Sequence, residues 1–173
     1  MIKSVLLGAA MLSLLDAPAL GANAEYPNKD LTPGLAHADA TADQLCATNW
    51  SKTEKPVAAS LRRDVFAAYR VSGDTDPACK AEGKTCRIDH LIAPKLGGAD
   101  VAVNLWPQRT SGDWSAPDKD RLEDCMHTRV CAKLTDQGND AATRLLRVYQ
   151  HDLVSDWIAA FKNVIGSRTD SCS

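Results

Sequence analysis

The chain has 173 residues, a formal net charge of −2 and six cysteines. A tight, non-specific DNA-binding protein typically has a strongly positive net charge, and this chain does not. A local basic groove is still compatible with the net charge of the chain. The length fits one compact domain and excludes a large multidomain assembly within this chain.

The first 24 residues have the pattern of a secretory signal peptide. A basic start at Lys3 precedes an apolar run over residues 5–15, which is too short to span a bilayer as a helix. Small residues at Ala22 and Ala24 match the positions that a signal peptidase reads. We therefore expect cleavage near Ala24, no membrane association, and a secreted or periplasmic mature chain.

All six cysteines follow this segment, and an even number in an exported chain indicates disulfides. A zinc site is the weaker interpretation, because no pair has Cys-x-x-Cys spacing. The sequence leaves the pairing open. Cys79 and Cys86 flank a short polar loop and form the easiest local pair. The other expected pairs are Cys46–Cys131 and Cys125–Cys172.

The first predicted elements are a leader and a helix. Residues 25–54 are rich in Ala, Asp, Thr and Pro and have little periodicity, so we expect an extended leader. A helix is predicted to begin near Lys55, because apolar residues then recur at four-residue spacing: Val57, Leu61, Val65 and Tyr69. Residues 72–85 contain glycine and proline and are predicted to form a loop.

Two strands come next, predicted at residues 86–92 and 101–106. Gly97 and Gly98 lie between them and permit the positive φ angles of a turn. Pro107 is expected to end the second strand.

Two helices complete the chain. Ser115 is the expected N-cap of the first, and Asp118 completes its capping box. The second is predicted over about residues 140–165 and ends at Gly166. We therefore expect a small α+β domain over residues 55–166, followed by a C-terminal tail at 167–173.

Residues 89–108 (DHLIAPKLGGADVAVNLWPQ) contain most of the side chains that could take part in catalysis or metal binding. Hydrolysis of a phosphodiester needs a base for water and a cation that neutralises charge. His90 fits the base, because the ordinary pKa of histidine, about 6.5, is close to neutral pH. Asp89 and Asp120 offer oxygen ligands for a hard cation such as Mg²⁺. The Asn104 amide can bridge the long loop back to the first strand.

This stretch resembles the HNH endonucleases of the His-Me finger, or ββα-metal, group. In that group an Asp-His or His-His pair ends the first strand, an Asn lies in the second, and a helix supplies the last metal ligand. The resemblance implies a ββα-metal core with His90 as general base, Asp89 as metal ligand and Asn104 as the residue that pins the loop. It also implies that Asp120 is the ligand from the helix.

A wider resemblance covers roughly residues 31–165. The chain is similar to exported bacterial HNH-like proteins at residues 31–34 (LTPG), in the DH…GG…NLWP core, at residues 119–123 (KDRLE) and at residues 156–157 (DW). This similarity implies a metal-dependent nuclease.

Four basic residues near the motif are candidate phosphate contacts, with ordinary solvated charge as the alternative for each: Arg87, Lys95, Arg109 and Lys119. Glu123 and His127 share the helix face of Asp120. We expect both to be solvated rather than part of a cleft.

The sequence thus predicts an exported, monomeric nuclease that hydrolyses phosphodiester bonds of DNA or RNA with one divalent cation, Mg²⁺. An alternative is a non-catalytic domain that keeps the HNH-like scaffold for binding, because Asp120 stands where the group usually has His or Asn. A small secreted inhibitor or cell-wall protein is a third interpretation.

Overall fold

The computed structural model describes residues 25–48, 56–71 and 86–172. Its elements in chain order are α1 (Ala42–Ala47), α2 (Ala59–Ala68), β1 (Cys86–His90), β2 (Leu105–Arg109) and α3 (Ala116–Val164). Two 3-10 turns, Pro94–Leu96 and Ala102–Asn104, lie between the strands. Helices combined with a two-stranded antiparallel sheet confirm the α+β class. The predicted signal peptide lies outside the described residues.

The second strand differs from its prediction. A 3-10 turn occupies Ala102–Asn104, where the strand was expected to run, and Pro107 lies inside β2 instead of ending it. Proline is tolerated there because each strand of a two-stranded ribbon has one edge without a partner. In the observed register Asp89 lies opposite Trp106. Trp106 is buried in a cluster that includes Val65 of α2 and Ile88 of β1.

The first strand ends at His90 rather than at Ile92. The main chain of Ile92 does not pair with β2, because the Asn104 side chain takes both its N–H and its carbonyl. Gly97 adopts φ +79°, as predicted for the turn. Gly98 is required for a different reason, since a Cβ there would collide with the Ile92 carbonyl.

Helix α3 begins at the predicted capping box of Ser115 and Asp118. Non-helical angles at Gly138 (φ 80°, ψ 174°) divide it, so the two predicted helices correspond to the parts before and after this glycine. A second break occurs at Asp156, whose carboxylate accepts a hydrogen bond from the Ala159 N–H at 2.9 Å. The parts pack on each other through the main core, which contains Leu122, Met126, Leu146, Leu153, Trp157 and Phe161.

The prediction of an extended leader over residues 25–54 missed α1. Thr41 and Gln44 form a T-x-x-Q capping box at its start, which is a signal visible in the sequence. Leu45 then joins the main core. Upstream, the Glu25 carbonyl accepts a hydrogen bond from the Trp157 indole at 2.8 Å. The described part of this segment therefore belongs to the domain.

Two of the three expected disulfides are confirmed, Cys46–Cys131 and Cys125–Cys172. Cys86 is also disulfide-bonded, but Cys79 lies outside the described residues, so the Cys79–Cys86 pair stays a prediction. The disulfides indicate an oxidising compartment. None of the helices in residues 25–48, 56–71 and 86–172 is both long and apolar enough to cross a membrane.

We predict that Gly98→Ala strongly destabilises the protein, by about 3 kcal/mol or more, because the new methyl group meets main-chain atoms that cannot move aside cheaply. Thermal unfolding measures the loss. Gly138→Ala is the comparison: its φ of +80° strains an alanine, but a Cβ there meets no atom within 4 Å, whereas Gly98 does not have a positive φ. We expect it to cost about 2 kcal/mol, from backbone strain alone. Equal losses in the two variants would contradict the collision.

Candidate active site

One pocket of about 540 Å³ brings together most of the residues that the sequence singled out. It lies where the end of β1 faces the first turns of α3. Five predicted site residues line it: Arg87, Asp89, His90, Lys95 and Asp120. Glu123 and Asp124, which the prediction did not place in a cleft, line it as well.

Asn104 holds the loop after His90 in place through hydrogen bonds from its side chain to main-chain groups. Its side chain is fully buried, and its amide donates to the carbonyls of Ile92 and Ala99, each at 2.9 Å. Its oxygen accepts from the N–H groups of Ile92 at 3.0 Å and Leu35 at 3.3 Å. The loop after His90 is therefore closed onto the start of β2 by one side chain.

Asp89 is buried and has a cation on each carboxylate oxygen. Its Oδ1 lies 3.1 Å from the Arg87 guanidinium, and its Oδ2 lies 3.2 Å from the Lys119 ammonium. Burial by itself would raise the pKa of the Asp89 carboxyl, but Lys119 and Arg87 outweigh it and lower that pKa. Asp89 is therefore an ionised carboxylate.

Lys119 is 0% exposed. Its ammonium donates to the Asp89 carboxylate, the Glu123 carboxyl and the His90 carbonyl. All three of its N–H donors therefore have a partner inside the protein. The sequence proposed Lys119 as a phosphate contact, but here its ammonium faces these three groups and not the open pocket. Its pKa is raised, because Asp89 and Glu123 outweigh the effect of burial.

Glu123 was expected to be solvated, and this expectation is wrong, since the side chain is buried against Lys119. Burial raises the pKa of Glu123 to about 8, with Asp89 adding to the rise and Lys119 opposing it. One ammonium does not neutralise two buried carboxylates. Asp89 has the additional support of Arg87, so Glu123 is the acid that keeps its proton at neutral pH.

Arg87 bridges the two predicted metal ligands. One nitrogen of its guanidinium bonds to Oδ1 of Asp89 and to Oδ1 of Asp120. Two carboxylate oxygens therefore converge on one point that already holds positive charge. Oxygen donors of this kind fit a hard divalent cation, provided that the guanidinium moves away.

His90 lines the pocket with a side chain that is 13% exposed. Burial lowers its pKa, and the carboxylates of Asp89 and Asp100 oppose this only in part, so the imidazole is neutral at neutral pH. Its Nε2 lies 3.3 Å from Oδ1 of Asp100. A carboxylate oxygen accepts, so Nε2 carries the hydrogen in this bond and Nδ1 is the basic nitrogen.

Arg109, at the end of β2, does not line the pocket. Its guanidinium donates to the Asp113 carbonyl at 3.2 Å.

A cluster of possible metal ligands lies apart from the pocket. Within the described ranges, one group of three or more His, Cys or acidic residues has its ligand atoms within 4.8 Å of one another: Cys46, His127 and Cys131. The two sulfurs form a disulfide, so they are not thiolate ligands.

Comparison with known proteins gave no match to a family model, to a curated protein or to a solved structure.

We predict that Asn104→Ala lowers the free energy of unfolding by about 3 kcal/mol, because it leaves buried main-chain groups of Ile92 and Ala99 without partners. Chemical denaturation gives the difference. Asn28→Ala is the control, since the Asn28 side chain accepts one exposed bond from the Asp30 N–H, worth about 1 kcal/mol or less. Similar losses in both variants would show that Asn104 does not pin the loop.

We predict a loss of stability between about pH 4.5 and pH 8 that depends on Glu123. The folded protein holds a proton on Glu123 that the unfolded chain has released, so the free energy of unfolding falls as pH rises from the ordinary 4.5 to about 8. The slope reaches at most about 1.4 kcal/mol per pH unit. Glu123→Gln removes this part of the slope in unfolding measurements across that range.

The control for this prediction is Asp124→Asn, on the same helix but mostly exposed. We expect it to leave the slope unchanged. A wild-type slope in Glu123→Gln would mean that another group holds the proton.

Proposed function

We propose that the protein is an exported nuclease of the HNH kind, with a small ββα-metal core, that hydrolyses phosphodiester bonds of nucleic acid. The observation that carries this proposal is the meeting of Asp89, His90 and Asp120 in one pocket, beside a loop pinned by Asn104. The disulfides support export, in line with the signal peptide predicted over residues 1–24.

The roles follow from the chemistry of each group. Nδ1 of His90, neutral and basic, takes a proton from the attacking water. Asp89 and Asp120 would hold a divalent cation, Mg²⁺ by ligand type, which would neutralise charge at the phosphate and the leaving oxygen. Lys119 holds the His90 carbonyl and the Asp89 carboxylate in one arrangement, so that base and ligand keep a fixed relation.

The substrate side of the pocket is basic at two positions. Arg87 and Lys95 both line it and can contact phosphate oxygens. Arg109 lies beyond the pocket, where only a substrate longer than the reacting phosphodiester reaches it. These contacts do not select bases, so we propose cleavage with little sequence preference.

We predict that the purified mature protein nicks supercoiled plasmid in the presence of Mg²⁺ or Mn²⁺, and that His90→Ala lowers the rate roughly 100-fold or more. Because burial lowers the pKa of His90, the rate should stay high at neutral pH and fall only as the solution becomes more acidic than the ordinary histidine pKa of about 6.5. Agarose gels over a pH series measure both effects.

His151→Ala is the matched control, since this histidine side chain is 79% exposed. It should cleave like the wild type. Equal cleavage by His90→Ala and wild type would remove His90 from the mechanism.

A second candidate function is a non-catalytic binding domain on the same scaffold. The specific observation in its favour is that Arg87 and Lys119 already neutralise the Asp89 carboxylate, and Arg87 also neutralises Asp120. In that case the protein neither cleaves plasmid nor binds a divalent cation at Asp89.

A further inference from the structure

The two cations on Asp89 are held very differently. Lys119 has no exposed surface and three partners, one of them the main chain of His90. The Arg87 side chain is 37% exposed, lines the pocket and pairs with the two pocket carboxylates, Asp89 and Asp120. Displacing Lys119 would leave a buried charge without a partner, whereas Arg87 can leave for solvent at a small cost.

The position of Arg87 coincides with the point where a metal ion would be shared. The same guanidinium nitrogen contacts Oδ1 of Asp89 and Oδ1 of Asp120. A cation and this guanidinium therefore compete for the same two oxygens. The other two lysines at the site have acidic partners of their own: Lys95 pairs with Asp124, and Lys119 pairs with Asp89.

We infer that Arg87 is an internal cation that a divalent metal ion displaces from Asp89 and Asp120, and that the released guanidinium then binds a phosphate of the substrate. Without metal, Arg87 neutralises the carboxylates and keeps the site closed to phosphate. With metal, the planar guanidinium is free to form paired hydrogen bonds with phosphate oxygens at the rim of the pocket. Metal and substrate binding thereby become linked through one side chain. The inference rests on the metal site of the proposed function.

The test is calorimetric titration of the folded protein with Mn²⁺ alone, without nucleic acid. Arg87→Met removes the competitor, and we expect its Kd for Mn²⁺ to be roughly tenfold lower than that of the wild type. Arg87→Gln is the second variant, used if Arg87→Met does not fold. Circular dichroism checks the fold of each.

Lys95→Met is the matched control, because it removes one positive charge from the same pocket at a residue that pairs with Asp124. A general effect of the pocket's charge would tighten Mn²⁺ binding equally in both variants, and this result overturns the inference. It is also overturned if the Arg87 variants bind Mn²⁺ no more tightly than the wild type.

The outcomes separate this inference from the proposed function. Tighter binding in the Arg87 variants than in Lys95→Met supports the exchange, even if the wild type itself binds too weakly to measure. If the wild type binds Mn²⁺ and the Arg87 variants bind it with the same affinity, the exchange is overturned but the metal site stands. No binding in any of the proteins overturns both.

A fluorescence anisotropy titration with a labelled DNA duplex in the His90→Ala background gives the second readout. We expect Mn²⁺ to raise the affinity for this DNA, and we expect most of this gain to be lost in His90→Ala/Arg87→Met. An undiminished gain in the double variant overturns the transfer of Arg87 to phosphate.

Discussion

The arrangement of the pocket depends on the buried ammonium of Lys119. It joins three groups from two parts of the chain: the Asp89 carboxylate and the His90 carbonyl at the end of β1, and the Glu123 carboxyl on α3. A charge that is fully removed from water is tolerated only where its hydrogen bonds and its charge are answered inside the protein. This requirement fixes how the hairpin sits on the helix, and with it the position of the candidate base and ligands.

The charge states of the two acids next to Lys119 depend on its ammonium and on Arg87. One ammonium shared by two buried acids leaves one acid ionised and the other protonated, and Arg87 decides that Asp89 is the ionised one. The carboxylate that faces the candidate metal position is therefore charged, with Arg87 and Lys119 on its two oxygens. The acid behind it, Glu123, contributes no negative charge at neutral pH. Burial also keeps His90 neutral, so the proposed base and the proposed ligand are in the states that the proposed hydrolysis requires.

Much of the fold was predictable, because it rests on local signals. The capping box at Ser115 and the turn glycine at Gly97 were predicted in this way and are confirmed. Two expected disulfides are confirmed as well, but they join distant cysteines, whose pairing local signals leave open. Helix α1 was missed although its capping box is visible, because it is short and follows a segment without periodicity. The bounds of both strands were wrong, because Asn104 takes the main-chain bonds of Ile92 that a longer hairpin would use.

The sequence by itself determined which residues at the end of β1 are candidates for chemistry, since an Asp-His pair, a Gly-Gly turn and an Asn at fixed spacing constrain one hairpin locally. Only the tertiary structure decided what surrounds them. Lys119 and Glu123 look like solvated helix charges in a sequence, and only the packing of α3 against β1 turns them into a buried pair. The charge states of the pocket side chains depend on their burial and on distances between segments that lie far apart in the chain. Local spacing therefore singled out Asp89 and His90 as candidates, but it did not show that Arg87 and Lys119 pair with Asp89.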